Sequence, residues 1–158
     1  MVTNTLLTPK LNNLSLFCDD NNILFKCITS SNCVEGKVFS GEGKASEFLQ
    51  IKEYSEFIVE KTSFKPFPGT LNLQGKPEEI KKLKKNTKKD KMEGFEKNGK
   101  EFGGMNLYHV KVEGIKCCLI EPDLTRYGEN VVEICSEFRL RSKLDLENGD
   151  RVKVDKTA

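Results

Sequence analysis

Hydrophobic and polar positions alternate in several short stretches of this chain. "NLYHVKVEG" sets Tyr108, Val110 and Val112 against His109, Lys111 and Glu113, the period-two pattern of a strand with one buried face. That alternation places His109 on the polar, surface side. "IKCCLI" follows the Glu113-Gly114 turn as a second strand, in which the adjacent Cys117 and Cys118 point to opposite faces. "NVVEIC" (130–135) and "RVKV" (151–154) make two more, the last entered through Asn148-Gly149-Asp150, a tight-turn sequence. Near the start, "LSLFCDDNNILFKCI" reads as a hairpin around Asp19-Asp20-Asn21-Asn22, residues whose side chains bond nearby backbone and so favour turns. "GKVFSGEGKASEFLQI" offers a strand, a glycine-bearing loop and a further apolar run. One segment, "KEYSEFIVEK", has helical spacing, with Tyr54, Phe57 and Ile58 at i, i+3 and i+4. It should end near Ser63, ahead of two prolines. Many short strands with one short helix predict a mostly β fold, a small antiparallel barrel.

The prolines belong to "FKPFPGTLNL", residues 64–73. Pro66 and Pro68 fix φ near about −65° and hold their predecessors extended, which excludes helix. In the strand that follows, Thr70 and Asn72 share one face, and Leu71 and Leu73 share the other, core-facing one. Two neutral oxygen donors held at the exit of a stiff turn suit a ligand or a hard cation. From these residues alone, a polar outer face on an edge strand is the plainer account.

Residues 76–100 are dense in lysine, with Ile80, Leu83, Met92 and Phe95 as apolar anchors. Such density predicts a solvated helix or mobile loop, or alternatively a local contact for a polyanion. "SGEGKAS" (40–46) is not a P-loop, because Val38 stands where the first glycine belongs and Ala45 follows Lys44 where Ser or Thr would hold the metal. It still offers glycines that let backbone N–H groups approach an anion, with Lys44 adding charge.

The chain's 158 residues, 37% hydrophobic and 32% charged, suffice for one folded domain. A net charge of +2 lacks the footprint of a nucleic-acid binder. No apolar run reaches the roughly 18 residues of a membrane span, and the start lacks the pattern of a secretory signal. Six cysteines without a C-x-x-C pair, and a single histidine, argue for reduced thiols rather than a zinc site. A cytoplasmic monomer is expected.

In order and together, "GKVFSGEGK", the short helix, "FKPFPGTLNL", "LTRYGENVVEI" and "FRLRSKLDLENGDRVKV" resemble the archaeal-type riboflavin kinase family. These are small cradle-loop, six-stranded β-barrels that phosphorylate riboflavin with CTP, giving FMN and CDP. The likeness runs from about Gly36 to Val154. It implies a barrel domain over 36–155, with 76–100 as a lysine-rich insertion and 1–35 as an N-terminal extension. It implies that Thr70 and Asn72 bind Mg2+, and that Thr125 and Glu133 contact the flavin. It assigns the nucleotide to Gly41, Glu42, Gly43, Lys44, Ala45, Ser46 and Glu47 and to Phe138-Arg139-Leu140-Arg141, of which Arg141 best suits bidentate phosphate contact. The family loop reads roughly Ser-Gly-Leu-Gly-Glu-Gly; here Lys44 replaces its Glu and Ala45 its third Gly. Glu137 replaces a proline often found before the second turn. No side chain declares itself as general base. The competing expectation is a non-catalytic flavin- or nucleotide-binding barrel with a decayed loop.

Overall fold

The computed structural model describes residues 15–19, 22–26, 33–125 and 127–157. Strands β1 (Ser15–Asp19) and β2 (Asn22–Lys26) pair antiparallel as a hairpin of their own. The main sheet begins with β3 (Cys33–Phe39), which leads through the glycine loop into helices α1 (Lys44–Leu49) and α2 (Lys52–Thr62). The chain then forms β4 (Leu71–Gln74), α3 (Pro77–Lys85), β5 (Lys89–Met92) and the small hairpin of β6 (Phe95–Lys97) and β7 (Lys100–Phe102). Long strands β8 (Met105–Val112) and β9 (Ile115–Pro122) follow, then β10 (Val131–Cys135), a turn of helix α4 (Leu140–Lys143) and β11 (Arg151–Lys156).

Six of these strands close into an antiparallel barrel in the order β11-β3-β4-β10-β9-β8, with β11 returning to pair with β8. β8 serves two neighbours. Its end at Val110–Val112 closes the barrel on β11, and its beginning at Met105–Tyr108 pairs with β5. The expected barrel is therefore present, and three short helices accompany the one that the spacing predicted.

Strand alternation divides the apolar residues into two cores. Val34, Val38, Leu71, Leu73, Val110, Val112, Cys117, Leu119, Ile134 and Val154 fill the barrel. Leu107, Cys118, Ile120 and Cys135 face outward, where Tyr54 and Ile58 of α2 cover them. Tyr54, Ile58 and Thr62 lie at i, i+4 and i+8 and are the buried stripe of α2. The helix stops at Ser63, which takes a left-handed φ of 67°. The lysine-rich segment begins as a regular helix for identifiable reasons. Pro77 opens α3, Glu78 and Glu79 sit in its first turn, and Lys82, Lys84 and Lys85 sit in its last, as the helix dipole favours. Its Ile80 and Leu83 are buried against the barrel.

Three details depart from the sequence expectation. His109 is only 8% exposed. The neighbouring β5 strand brings Asp90 to its imidazole, Nε2 to Oδ2 at 2.7 Å, so this position on the polar side of β8 is covered, while Lys111 on the same side stays exposed. Cys33 is disulfide-bonded, whereas Cys117, Cys118 and Cys135 are free and buried. Burial pushes the Cys117 thiol up to about 11, which leaves it a packing group rather than a nucleophile. Finally, residues 89–102 are paired strands rather than a loop. Among the described residues, no helix is long and apolar enough to cross a membrane.

The hydrogen bond from His109 holds the Asp90 carboxyl below the usual aspartate range, against an opposing effect of burial. A depressed native value means stability that is present above the unfolded pKa and lost as pH falls through the native one. Asp90→Asn should therefore lower stability by about 1 kcal/mol at neutral pH. The difference from the unsubstituted protein should shrink below about pH 4. Denaturant titrations at neutral and acid pH check this.

Candidate active site

Barrel registry lines up a row of side chains on the outer face of the sheet. Phe39 of β3 pairs with Asn72 of β4, Asn72 with Glu133 of β10, and Glu133 with Ile120 of β9. Their sequence neighbours Val38, Leu71, Leu73, Val132 and Ile134 point into the barrel, so these four point away from it. A cavity of about 500 Å³ opens over the row. The glycine loop, the start of α1, the β6–β7 hairpin and the segment after β9 wall it.

Thr70 and Asn72 stand together there, as their alternation predicts. The Thr70 hydroxyl donates to Asn72 Oδ1 at 3.0 Å, and Asn72 is 8% exposed. Glu133 completes the cluster. Burial raises its carboxyl above the ordinary glutamate value, and the adjacent Thr70 hydroxyl opposes the shift. Thr70 is thus the polar neighbour of a carboxylate inside an apolar strand.

The glycine loop closes one side. Gly41 packs so tightly that an added Cβ would lie 2.0 Å from Asn72 Nδ2 and 2.5 Å from the Tyr127 hydroxyl oxygen. Gly43 takes φ 77° at the entry to α1, a conformation that L side chains resist. These are the two glycines that match the resembling family's loop. The two departures, Lys44 and Ala45, fall on the first residues of α1, where helical φ needs no glycine and alanine is the better helix former. The Lys44 ammonium pairs with Glu42 at 3.6 Å in an exposed position.

The expected residues separate at this point. Gly41 through Ser46, Thr70, Asn72, Thr125, Glu133 and Arg141 all line the cavity, while Glu47 does not. Of Phe138-Arg139-Leu140-Arg141, the second stretch expected to meet a nucleotide, only Arg141 lines the cavity. Leu140 is buried in the barrel core, Arg139 bonds Ser142, and Phe138, 38% exposed, lies under Lys143. Arg141 Nη2 donates to Asn148 Oδ1 at 2.6 Å, and the Asn148 amide donates to Ser40 Oγ at 3.0 Å. This joins α4, the turn before β11 and the glycine loop at the cavity rim.

Sequence reasoning missed the aromatic wall. Phe48 stacks on Tyr54 at 3.9 Å, Phe95 stacks on Phe102 at 5.0 Å, and Tyr54 meets both hairpin rings edge-on. The Tyr54 hydroxyl donates to the Gly103 carbonyl at 2.6 Å. A signal existed: Asn98-Gly99, with φ 53° and 78°, is a type I′ hairpin dipeptide, and Phe95 and Phe102 flank it in register. Leu124, 82% exposed, hangs at the mouth beside Gly103. A second cavity of about 490 Å³ lies between α3 and the β9–β10 face, and shares Ile120, Thr125, Tyr127 and Glu133 with the first. There Lys84 bonds Glu121, which also accepts from Asn106. Burial raises the Glu121 carboxyl, and these two bonds together with the charges of Lys84 and Lys89 more than offset it.

Comparison with known proteins bears on this geometry directly. The family model CTP-dep_RFKase, described as "Domain of unknown function DUF120", matches residues 38–155. The chain belongs to this CTP-dependent riboflavin kinase family. It is 37% identical over 123 residues to the riboflavin kinase of Methanosarcina acetivorans, covering 75% of this chain and 51% of that protein. For the riboflavin kinase of Methanosarcina mazei the identity is 36% over 121 residues, covering 75% and 54%. For that of Ignicoccus hospitalis it is 33% over 136 residues, covering 84% and 75%. The chain thus spans about half the length of the Methanosarcina relatives. The matched segment contains every cavity residue named above.

The Gly41 contact generates a prediction. Gly41→Ala should displace either the loop or the Asn72 amide, and so weaken any ligand held against the glycine loop about tenfold or more, with little change in the unfolding midpoint because the loop is exposed. Calorimetric titration and thermal unfolding of the same sample separate the two effects.

Proposed function

We propose that this protein is a riboflavin kinase that transfers the γ-phosphoryl group of CTP to the 5′-hydroxyl of riboflavin, giving FMN and CDP with Mg2+. One observation carries the reading. Residues as far apart in sequence as Gly41, Asn72, Glu133 and Arg141 converge on a single cavity, and they are the positions to which the family likeness assigns nucleotide, metal and flavin.

The residues fit magnesium. The ion takes oxygen ligands about 2.1 Å away in near-octahedral array, so adjacent ligands sit about 3 Å apart. The Thr70 and Asn72 oxygens are 3.0 Å apart, and both are neutral, as suits an ion whose counter-charge arrives with a triphosphate. When bound, magnesium would neutralise charge on the phosphate oxygens. Among the described residues no cluster of three or more His, Cys, Asp or Glu side chains offers a protein-only metal cage.

The chain's own contribution is position. The glycine loop and Arg141 line the cavity on the side this reading gives to the phosphates, while Thr125 and Glu133 line the side it gives to the acceptor. The acceptor hydroxyl oxygen attacks the γ-phosphorus in line and gives up its proton to solvent, the bond to the β–γ bridging oxygen breaks, and CDP departs. Such a transfer leans on alignment and electrostatic stabilisation more than on covalent help. The aromatic wall gives the acceptor side an apolar surface against which a planar ring can stack.

The purified protein, incubated with riboflavin, magnesium and each of four nucleoside triphosphates in turn, should form FMN, with CTP the preferred donor. FMN with ATP alone would keep the kinase and reject the donor, and no FMN with any donor would leave only a binding module. Asn72→Ala should fold normally, since Leu71 and Leu73 keep their places in the core. Its turnover should fall about 100-fold and recover in part with added magnesium. A magnesium titration matching the unsubstituted protein would remove Asn72 from the site.

A further inference from the structure

Two stretches without regular secondary structure meet at the wall between the two cavities: the glycine loop at 40–43 and the segment that follows β9. Tyr127 is the side chain that joins them. Its hydroxyl accepts a hydrogen bond from the Glu42 N–H at 3.3 Å and lies where a side chain on Gly41 would have to go. Its ring meets Phe39, the first residue of the outer-face row, edge-on at 5.9 Å. On the other side, the Tyr127 N–H donates to Thr125 Oγ1 at 3.3 Å. Tyr127 also lines both cavities.

We propose that Tyr127 is a positioning residue that couples the two substrates, holding the nucleotide loop and the acceptor segment in one arrangement so that filling either site prepares the other. The inference rests on the kinase reading given above. The physical basis is conformational. Gly41 and Gly43 leave the loop with few intrinsic restraints, so its ordering costs entropy each time a nucleotide binds. A loop already held by Tyr127 has lost part of that freedom. Because the same tyrosine is bonded to Thr125, a ligand that settles the acceptor segment also settles Tyr127, and through it the Glu42 N–H. Linkage then requires that riboflavin improve nucleotide affinity by the same factor by which nucleotide improves riboflavin affinity. With one net hydrogen bond as the coupling element, that factor is about three- to tenfold.

Quenching of riboflavin fluorescence measures the effect, with CDP and magnesium as a nucleotide that binds without reacting. In the unsubstituted protein, saturating CDP should tighten riboflavin about three- to tenfold, and calorimetry with and without riboflavin should return the same factor for CDP. Tyr127→Phe removes the hydroxyl and keeps the ring against Phe39. Its ratio of riboflavin affinities with and without CDP should fall towards one. A merely structural tyrosine would weaken each ligand alone and leave that ratio intact, so an intact ratio in Tyr127→Phe overturns the proposal. So does a ratio of one in the unsubstituted protein, which needs no variant to fold. Absence of riboflavin binding under every condition is a different failure, and rejects the kinase reading itself.

Discussion

The position of β4 between β3 and β10 is the constraint on which the remaining structure depends. Asn72, Leu73 and Gln74 of β4 pair on both sides, which puts Asn72 opposite Phe39 on one flank and Glu133 on the other. Side chains alternate strictly, so a slip of one residue would send Leu71 and Leu73 into the cavity and Asn72 into the barrel. The leucines prevent this, because each is almost fully buried and large-to-small or apolar-to-polar exchange at such sites costs about 2–5 kcal/mol. The proline-rich turn before the strand has the same consequence from the other direction. It fixes where the strand begins, and thereby which residue faces out. A core preference thus enforces the placement of a polar site that lies outside the core.

Around that fixed row the cavity has two chemically different sides. The glycine loop, Thr70, Asn72 and Arg141 are polar and rich in N–H donors. Phe48, Tyr54, Phe102 and Leu124 supply flat apolar surface. A molecule that joins a planar ring to a hydroxyl-bearing chain, set against a polyphosphate, matches both sides. The loop's two altered positions do not disturb this division. Lys44 and Ala45 are helical, and the loop's shape resides in Gly41 and Gly43.

What the sequence made legible follows from which forces are local. Alternation in "TLNL" and "LYHVKV", the helical spacing of Tyr54 and Ile58, and the turn residues before β11 are local signals, and the strands, the longer helix and the Thr70/Asn72 pair emerge from them. His109 was placed at the surface because alternation gives a side chain its face but not what covers that face. Only the pairing of β5 with β8, through residues about twenty positions away in the chain, buries it. Leu140 lies away from the cavity for a related reason. In Phe138-Arg139-Leu140-Arg141 a motif assigns four residues together, whereas one turn of helix sends Leu140 into the barrel and leaves Arg141 at the rim. The aromatic wall escaped because lysine density in residues 76–100 outweighed an Asn-Gly turn with aromatics on either side.

The β6–β7 hairpin has a consequence for how a ligand reaches the row. Its strands hydrogen-bond each other and no strand of the barrel. It is held down by ring contacts with Tyr54, by one hydroxyl-to-carbonyl bond and by the Lys97–Glu53 ion pair at 3.0 Å. Separating those few groups leaves the six-stranded closure intact, so this wall forms a unit of low local stability seated on one of high stability. Amide protons of the hairpin would then exchange with solvent far sooner than those of β8 and β9, and the aperture can widen for a bulky ring system without any loosening of the barrel that fixes Asn72 and Glu133.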